Sequence, residues 1–281
     1  MIKPFLANEA FLADIELVEN KDPQLHLWWL GQSGFLLQWQ GTYLLFDPYL
    51  SDSLTKKYAG TDKPHVRMTE RVIPPGQLNF IDILTSSHNH TDHFDPETIH
   101  PLLQVNPTMQ LIVPAANRQS AAQKLAVAAN RITAIDYQQP LTTRNLVFNA
   151  IPSAHESLET DPQGRYKYLG YIVRAGPFTL YHPGDTVRYP GMVDHLRRWE
   201  IDIAMLPING RDPSRGVAGN LDGAEAVKLA QDAGMRVVIP CHYDMFEFNT
   251  VSPSEFIRAA RANNQAYQLL RNGERLSYPP S

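Results

Sequence analysis

The chain has 281 residues, 43% of them hydrophobic, a net charge of −4 and one cysteine. That length and apolar content exclude a disordered chain, and the weak acidity excludes a global basic field for wrapping a nucleic-acid backbone. The lone Cys241 excludes an internal disulfide framework and any multi-cysteine zinc or iron–sulfur site, which points to a reducing, cytoplasmic compartment.

In chain order, "MIKPFLANEAFLADIEL" is interrupted by Asn8 and Glu9 before a signal-peptide core forms. No later run approaches the roughly 20 apolar residues of a bilayer span, so no membrane contact is expected. No repeat or low-complexity linker divides the chain, and 1–281 is expected to be a single domain. The runs "LHLWWLG", "GFLLQWQ" and "TYLLFDP", punctuated by Gly31, Gly34, Gly41 and Pro48, predict a strand meander. Residues 50–78 show neither strand nor helix periodicity and exceed an ordinary connection, which predicts a functional loop or lid or else a surface excursion. Its basic residues Lys56, Lys57, His65, Arg67 and Arg71 are diluted by Asp52, Asp62 and Glu70, so the segment reads as solvated.

"FIDILTSS" is a buried-looking strand, and "DPETIHPLLQ" a helix with Asp95 as N-cap and Pro96 at its first position. Then come strand "QLIVPA", helix "ANRQSAAQKLAVAAN", and strands "RITAID", "NLVFNAIPS", "YLGYIVRA" and "FTLYHPGD". The last third alternates: helix "PGMVDHLRRWE", strand "IDIAMLPI", helix "LDGAEAVKLAQDAG", strand "RVVIPCHY", helix "SPSEFIRAARANN". A strand-rich part followed by an alternating part predicts sheets with helices packed outside, a layered α/β or α+β sandwich.

The decapeptide "SSHNHTDHFD" at 86–95 holds three of the chain's 10 histidines. His88 and His90 are two apart, so an extended backbone projects both imidazoles to one side, while Asp92 and His93 follow as the chain turns toward the helix. One peptide then presents ligands in two directions, which suits a pair of metal ions, His88 and His90 on one and Asp92 and His93 on the other. Further ligand types stand at the ends of later strands, where loops carry function. They are His155 in "IPSAHES", Asp185 in "YHPGDT" and His242 in "IPCHYD".

"HNHTDH" resembles the H-x-H-x-D-H signature of the metallo-β-lactamase superfamily, with His155, Asp185 and His242 in the order of its remaining ligand motifs. The resemblance runs over residues 26–248. Within the superfamily the chain is similar to the L-ascorbate-6-phosphate lactonase family in "WWLGQSGFLL", "IDILTSSHNHTDHFD", "LYHPGD", "IDIAMLPINGRDPSRG" and "VVIPCHYDMF". It departs from that family in being shorter and in offering a histidine in "SAHES" where the lactonase pattern has a carboxylate. "SSHNHTDHFD" and "GDTVRYPG" are also similar to the N-acyl-phosphatidylethanolamine phospholipase D group.

The resemblance implies an α+β fold, a four-layer αββα sandwich of two mixed sheets with outer helices. It implies His88, His90 and His155 on a first metal, Asp92, His93 and His242 on a second, and Asp185 bridging, with Asp47 supporting the site from behind the ligands. Neutral imidazoles and carboxylates suit Zn2+ or Mn2+ without deciding between them. A water held by two such cations loses its proton near neutral pH and attacks an electrophile; Asp92 is the catalytic carboxylate, a base if one metal is bound and an orienting ligand if both are.

The expected activity is hydrolysis of a small anionic ester, a sugar-phosphate-type lactone foremost, with phosphodiester cleavage on the same dinuclear site as the alternative and a non-catalytic scaffold as the third reading. Di-iron redox members of the fold carry glutamate in place of the second histidine of the signature, which is His90 here. Arg211 and Arg215 in "GRDPSRG" are candidates to grip the substrate anion, and His182 is a candidate support for Asp185. A small-molecule substrate is the expected partner, without nucleic acid, and homo-oligomerisation is left open. Cys241 and Trp28, Trp29 and Trp39 read as core residues.

Overall fold

The run Leu25–Gly31 is buried at every position, so neither face of this strand meets solvent. The computed structural model, which describes residues 1–18 and 23–279, shows why. Its strands are β1 (Leu25–Gly31), β2 (Gly34–Trp39), β3 (Thr42–Phe46), β4 (Ile83–Thr85), β5 (Gln110–Pro114), β6 (Ile132–Ile135), β7 (Leu141–Thr143), β8 (Leu146–Pro152), β9 (Leu169–Ala175), β10 (Phe178–His182), β11 (Ile203–Pro207), β12 (Val237–Cys241), β13 (Ala266–Tyr267) and β14 (Arg275–Tyr278). They form two seven-stranded sheets, ordered β14-β1-β2-β3-β4-β5-β6 and β13-β12-β11-β10-β9-β8-β7.

Strand alternation assigns the faces. Leu27, Trp29, Phe35, Leu37, Leu44, Phe46, Ile83 and Ile112 point from the first sheet into the core shared with the second. Trp28, Leu30, Leu36, Leu45, Leu84, Leu111 and Val113 point outward. That outer face is covered by Phe11 and Ile15 of helix α1 (Asn8–Glu16) and, beyond the short α2 (Ser53–Tyr58), by Ile99 and Leu102 of α3 (Pro96–Val105) and Ala121 and Leu125 of α4 (Arg118–Leu125). After α5 (Met192–Leu196), helices α6 (Gly223–Ala233) and α7 (Ser254–Ala262) cover the second sheet through Val227, Leu229, Ala230, Phe256 and Ala260. The layers are therefore αββα, and strands covered on both sides read as unbroken apolar runs.

Each sheet is mixed in the same way. β1, β2 and β3 are antiparallel and β3 to β6 parallel; β8, β9 and β10 are antiparallel and β10 to β13 parallel. Since β8 and β10 both oppose β9, they run in one direction with β11 and β12, and the C-terminal ends of all four lie on one edge. β3 and β4 likewise end together.

Local chemistry sets the helix ends. Asp95 caps α3, accepting from Glu97 N–H, with Pro96 in the first turn as expected. Asp222 and Glu225 form a capping box on α6, and Gly234 closes it in the left-handed conformation. α4 is shorter than the sequence predicts. It stops at Leu125 because Ala126 turns left-handed (φ +50°) and Val127 N–H reaches back to Ala122 O at 3.0 Å, a closure anchored by packing Val127 on the outer core. Five named elements have no counterpart in the sequence reading: α1, the short α2, β7, the two-residue β13 and β14. α1 is disguised by its mixed composition, β7 is only three residues, and β14 returns from the chain end to pair antiparallel with β1.

Residues 50–78 connect parallel strands β3 and β4, so the chain must travel back along the sheet, which requires length. The expectation of a solvated segment is corrected here. Arg67 has a side chain only 8% exposed; it donates to Ser51 O, to Thr69 O at 3.2 Å and to Asp52 at 2.7 Å. Tyr49, Leu54 and Phe246 form a small core beneath it, with Tyr58 and Phe248 packed against them.

Candidate metal centre

Five chain segments reach the aligned strand ends: Asp47 after β3, residues 86–93 after β4, His155 after β8, Asp185 after β10 and His242 after β12. The two sheets are tied together there, since Leu169 N–H donates to Ser87 O at 3.1 Å and the Tyr171 hydroxyl to Ser86 O at 2.7 Å. The structure brings all seven expected ligands together in two groups. His88, His90 and His155 form one, and Asp92, His93, Asp185 and His242 the other, with donor atoms of each group within 4.8 Å of one another.

Asp185 stands between the groups. Its Oδ1 is 3.2 Å from both His93 Nε2 and His242 Nε2, and its Oδ2 is 3.5 Å from His155 Nε2. Asp92 Oδ2 lies 3.5 Å from His93 Nε2 and 3.6 Å from His242 Nε2. His155 Nε2 approaches His90 Nδ1 at 3.1 Å, two ring nitrogens converging on one point. Among the described residues, His88 Nε2, His93 Nε2 and Asp185 Oδ1 are buried without a partner in hydrogen-bond geometry, the 3.2 Å approach of the last two included. Buried polar atoms without partners are costly, and these three all belong to the convergent donor sets.

Electrostatics fits divalent cations. Burial, reinforced by His93, pushes His88 well below the usual histidine pKa, and burial lowers His90 as well, so both imidazoles stay neutral as ligands must be. Burial works the same way on His93 and His242, but the Asp185 and Asp92 carboxylates outweigh it, raising His93 well above its usual value and His242 to about 9. Conversely, burial would raise Asp92 and Asp185, yet the neighbouring imidazoles hold both carboxyls below their ordinary range. Two carboxylates balanced by two imidazolium protons carry no net charge, and a divalent cation can replace both protons without disturbing that balance.

Asp47 lies behind the donor groups, against His93 and Ser87. It is fully buried and accepts from His93 Nδ1 at 2.7 Å, from Ser87 N–H at 2.9 Å and from the Ser87 hydroxyl. Holding Nδ1 turns Nε2 of His93 toward the second donor group. Gly184 lets this support close: it has φ +64°, and a Cβ on it would lie 2.2 Å from Ser87 Oγ. Backbone strain gathers here too, with Gln32 at φ +51°, Asp47 at +38° and His242 at +63°.

His182 makes its contacts behind the site. Its Nε2 meets Ser33 O at 2.8 Å and its ring stacks on Phe46 at 5.1 Å, so it joins the sheets behind the site. Arg211 and Arg215 stand outside the lining of the pocket over the candidate ligands. Arg211 is paired with Glu225, and Arg215 donates to Asn209 O at 2.6 Å. Cys241 is buried, as expected of a residue closing an inner strand.

Gln32 escaped sequence reasoning. Its side-chain amide donates to Asp92 Oδ2 at 2.8 Å and lies 3.0 Å from His242 Nε2, while its backbone carbonyl accepts from the His242 backbone N–H at 3.0 Å. The signal available was the turn "GQSG", a polar side chain held between two glycines beside inner strands.

The family described as a β-lactamase superfamily domain matches residues 26–242. The chain belongs to that family. A Caldivirga maquilingensis protein named "metal-dependent hydrolase" is 26% identical over 256 residues, covering 90% of this chain and 98% of its own. A Salmonella choleraesuis protein named "Probable L-ascorbate-6-phosphate lactonase" is 24% identical over 260 residues, covering 82% of this chain and 72% of its own. Among solved structures, an isothiocyanate hydrolase from Delia radicum gut bacteria superposes with a TM-score of 0.71 at 18% identity, covering 90% of this chain and 99% of that one; this likeness concerns the fold.

Above the ligands lies a cavity of about 530 Å³. One wall is apolar and aromatic, with Leu54, Tyr58, Phe246 and Phe248. His65 stacks on Tyr58 at 4.1 Å and leans on Phe248 at 4.3 Å. Among the described residues, no helix is long and apolar enough to cross a membrane.

Proposed function

We propose that this metal-dependent hydrolase of the β-lactamase superfamily opens or cleaves a small anionic ester, a sugar-phosphate-type lactone foremost, with two Zn2+ or Mn2+ ions. The observation that carries the reading is Asp185, whose two carboxylate oxygens each face a different donor group. His88, His90 and His155 would hold one ion, and Asp92, His93 and His242 the other. Such ions supply a water acidic enough to attack at neutral pH and polarise the ester oxygen.

The chain's own residues do the rest. Asp92, kept ionised and fixed by Gln32, orients whatever donates a hydrogen bond to it. Its lowered pKa makes it a weak base, so orientation rather than proton storage is its part. Leu54, Tyr58, Phe246 and Phe248 give the pocket an apolar wall that excludes water. The Salmonella relative's name agrees with a lactone, and the chain's similarity to it spans most of both proteins.

The test is turnover of a panel of phosphorylated and plain lactones by protein loaded with Zn2+ or Mn2+, alongside bis(4-nitrophenyl) phosphate and a count of metal equivalents. Lactone opening that needs two equivalents supports the reading. Cleavage of the diester with lactones untouched replaces it by the phosphodiesterase reading. Less than one equivalent after reconstitution removes it in favour of a scaffold.

A further inference from the structure

We infer that Lys57 and Lys124 form the anion clamp of this pocket, gripping a phosphate carried by the substrate while its ring lies against the aromatic wall. The inference rests on the reading of this cavity as the substrate site, and it places the anion contacts on residues other than Arg211 and Arg215. Both lysines line the cavity together with the metal ligands His90, Asp92, His155, Asp185 and His242. They come from different elements, Lys57 from α2 and Lys124 from α4.

Among the described residues, neither lysine has a carboxylate in ion-pair reach. Every other lysine in the described residues except Lys63 is paired, as Lys56 is with Glu97 and Lys167 with Glu159; Lys63 donates to Gly216 O. Lys57 and Lys124 instead feel each other. Lys124 is exposed by area yet crowded by protein atoms, and that desolvation, followed by the Lys57 ammonium, pushes it below the usual lysine value. Two like charges that line one cavity, neither in an ion pair among the described residues, repel, and an anion between them removes that penalty. Lysine ammoniums act as point charges on phosphate, and two of them match a phosphate dianion.

Their placement is built rather than incidental. Lys124 donates to Asn89 O, and the Asn89 amide donates to Ser120 Oγ at 2.6 Å, so α4 holds both the ammonium and the ligand-bearing loop. Lys57 lies 5.0 Å from the Tyr58 ring centroid, beside the aromatic wall. A phosphorylated ring compound thus finds apolar surface for its body, lysines for its phosphate, and the donor groups of the metal centre on the pocket floor.

The test measures binding by calorimetry on metal-loaded protein with two stable probes, glucose 6-phosphate and glucose. Wild type is expected to prefer the phosphorylated probe by more than tenfold. Lys57→Gln and Lys124→Gln should each weaken glucose 6-phosphate binding roughly fivefold, the double variant more, and glucose binding should not change. Lys124→Arg should restore most of the loss, which a loop-anchoring role alone does not require of the phosphate preference.

Equal binding of the two probes by wild type, binding of neither, or a preference that survives in the double variant overturns the clamp. Hydrolysis of lactones is scored separately on wild type. A protein that opens lactones but shows no lysine-dependent preference fails here alone, and one that binds glucose 6-phosphate through the lysines but opens no lactone fails only the activity reading.

Discussion

Gly184→Ala tests the support behind the metal centre. A Cβ at this position would lie 2.2 Å from Ser87 Oγ and 2.4 Å from Ser87 Cβ, in a backbone at φ +64°. The left-handed conformation costs alanine about 1 kcal/mol, and forcing atoms into a filled space costs about 1–3 kcal/mol. Together they predict a loss of about 2–4 kcal/mol, or a fall of roughly 4–8 °C in Tm for a chain of this size.

The clash also pushes Ser87 off Asp47, and with it the partner that aims His93. Metal affinity should therefore fall along with stability. Thermal unfolding of metal-free protein gives the first effect, and competition with a chelator the second. Ser87→Gly removes both clashing atoms, so the double variant should lose little beyond Ser87→Gly alone, leaving only the backbone term of about 1 kcal/mol. If the two substitutions simply add, the steric account of Gly184 is wrong.

Asp47→Asn replaces an acceptor of three hydrogen bonds by an amide that turns a donor toward a donor, and should weaken metal binding about 10–100-fold by chelator competition. His90→Ala removes one of three imidazoles from the first group while leaving the second intact; bound metal measured by mass spectrometry should drop from two equivalents toward one. Asp222→Ala breaks the α6 capping box and should cost about 1 kcal/mol in thermal unfolding, with metal content unchanged. Lys124 is held below the usual lysine value by desolvation and Lys57. Its grip on phosphate is complete below that lowered pKa and lost above it, so glucose 6-phosphate binding should fade with rising pH before a free lysine near pH 10.4 would titrate, and Lys124→Arg should abolish the fade.

Much of this molecule was legible in the chain. The strand "LHLWWLG" was read with its observed bounds, and the α3 cap at Asp95–Pro96 followed from residue chemistry alone. The turn that carries the candidate donors was visible because its histidines and aspartates lie within a single decapeptide. Contacts stayed hidden where distant partners decide. Arg211 looked free in sequence, yet Glu225 of the next helix takes its guanidinium. His182 sits three residues before Asp185, but its strand turns it toward Ser33. Segment 50–78 looked solvated because nothing local reveals that Arg67 would be buried against Ser51, Thr69 and Met245.

The sequence by itself determined most of the strands, the α3 cap and the residue types of the candidate metal donors, because hydrophobic period, capping side chains and donor spacing act over a few residues. Only the tertiary structure decided that Asp185 faces both donor groups, that Gln32 holds Asp92, that β14 closes the first sheet, and that Lys57 and Lys124 share a pocket. Those placements depend on strand order and on which sheet edges meet, and pairs separated by tens to hundreds of residues leave no periodic trace in the chain.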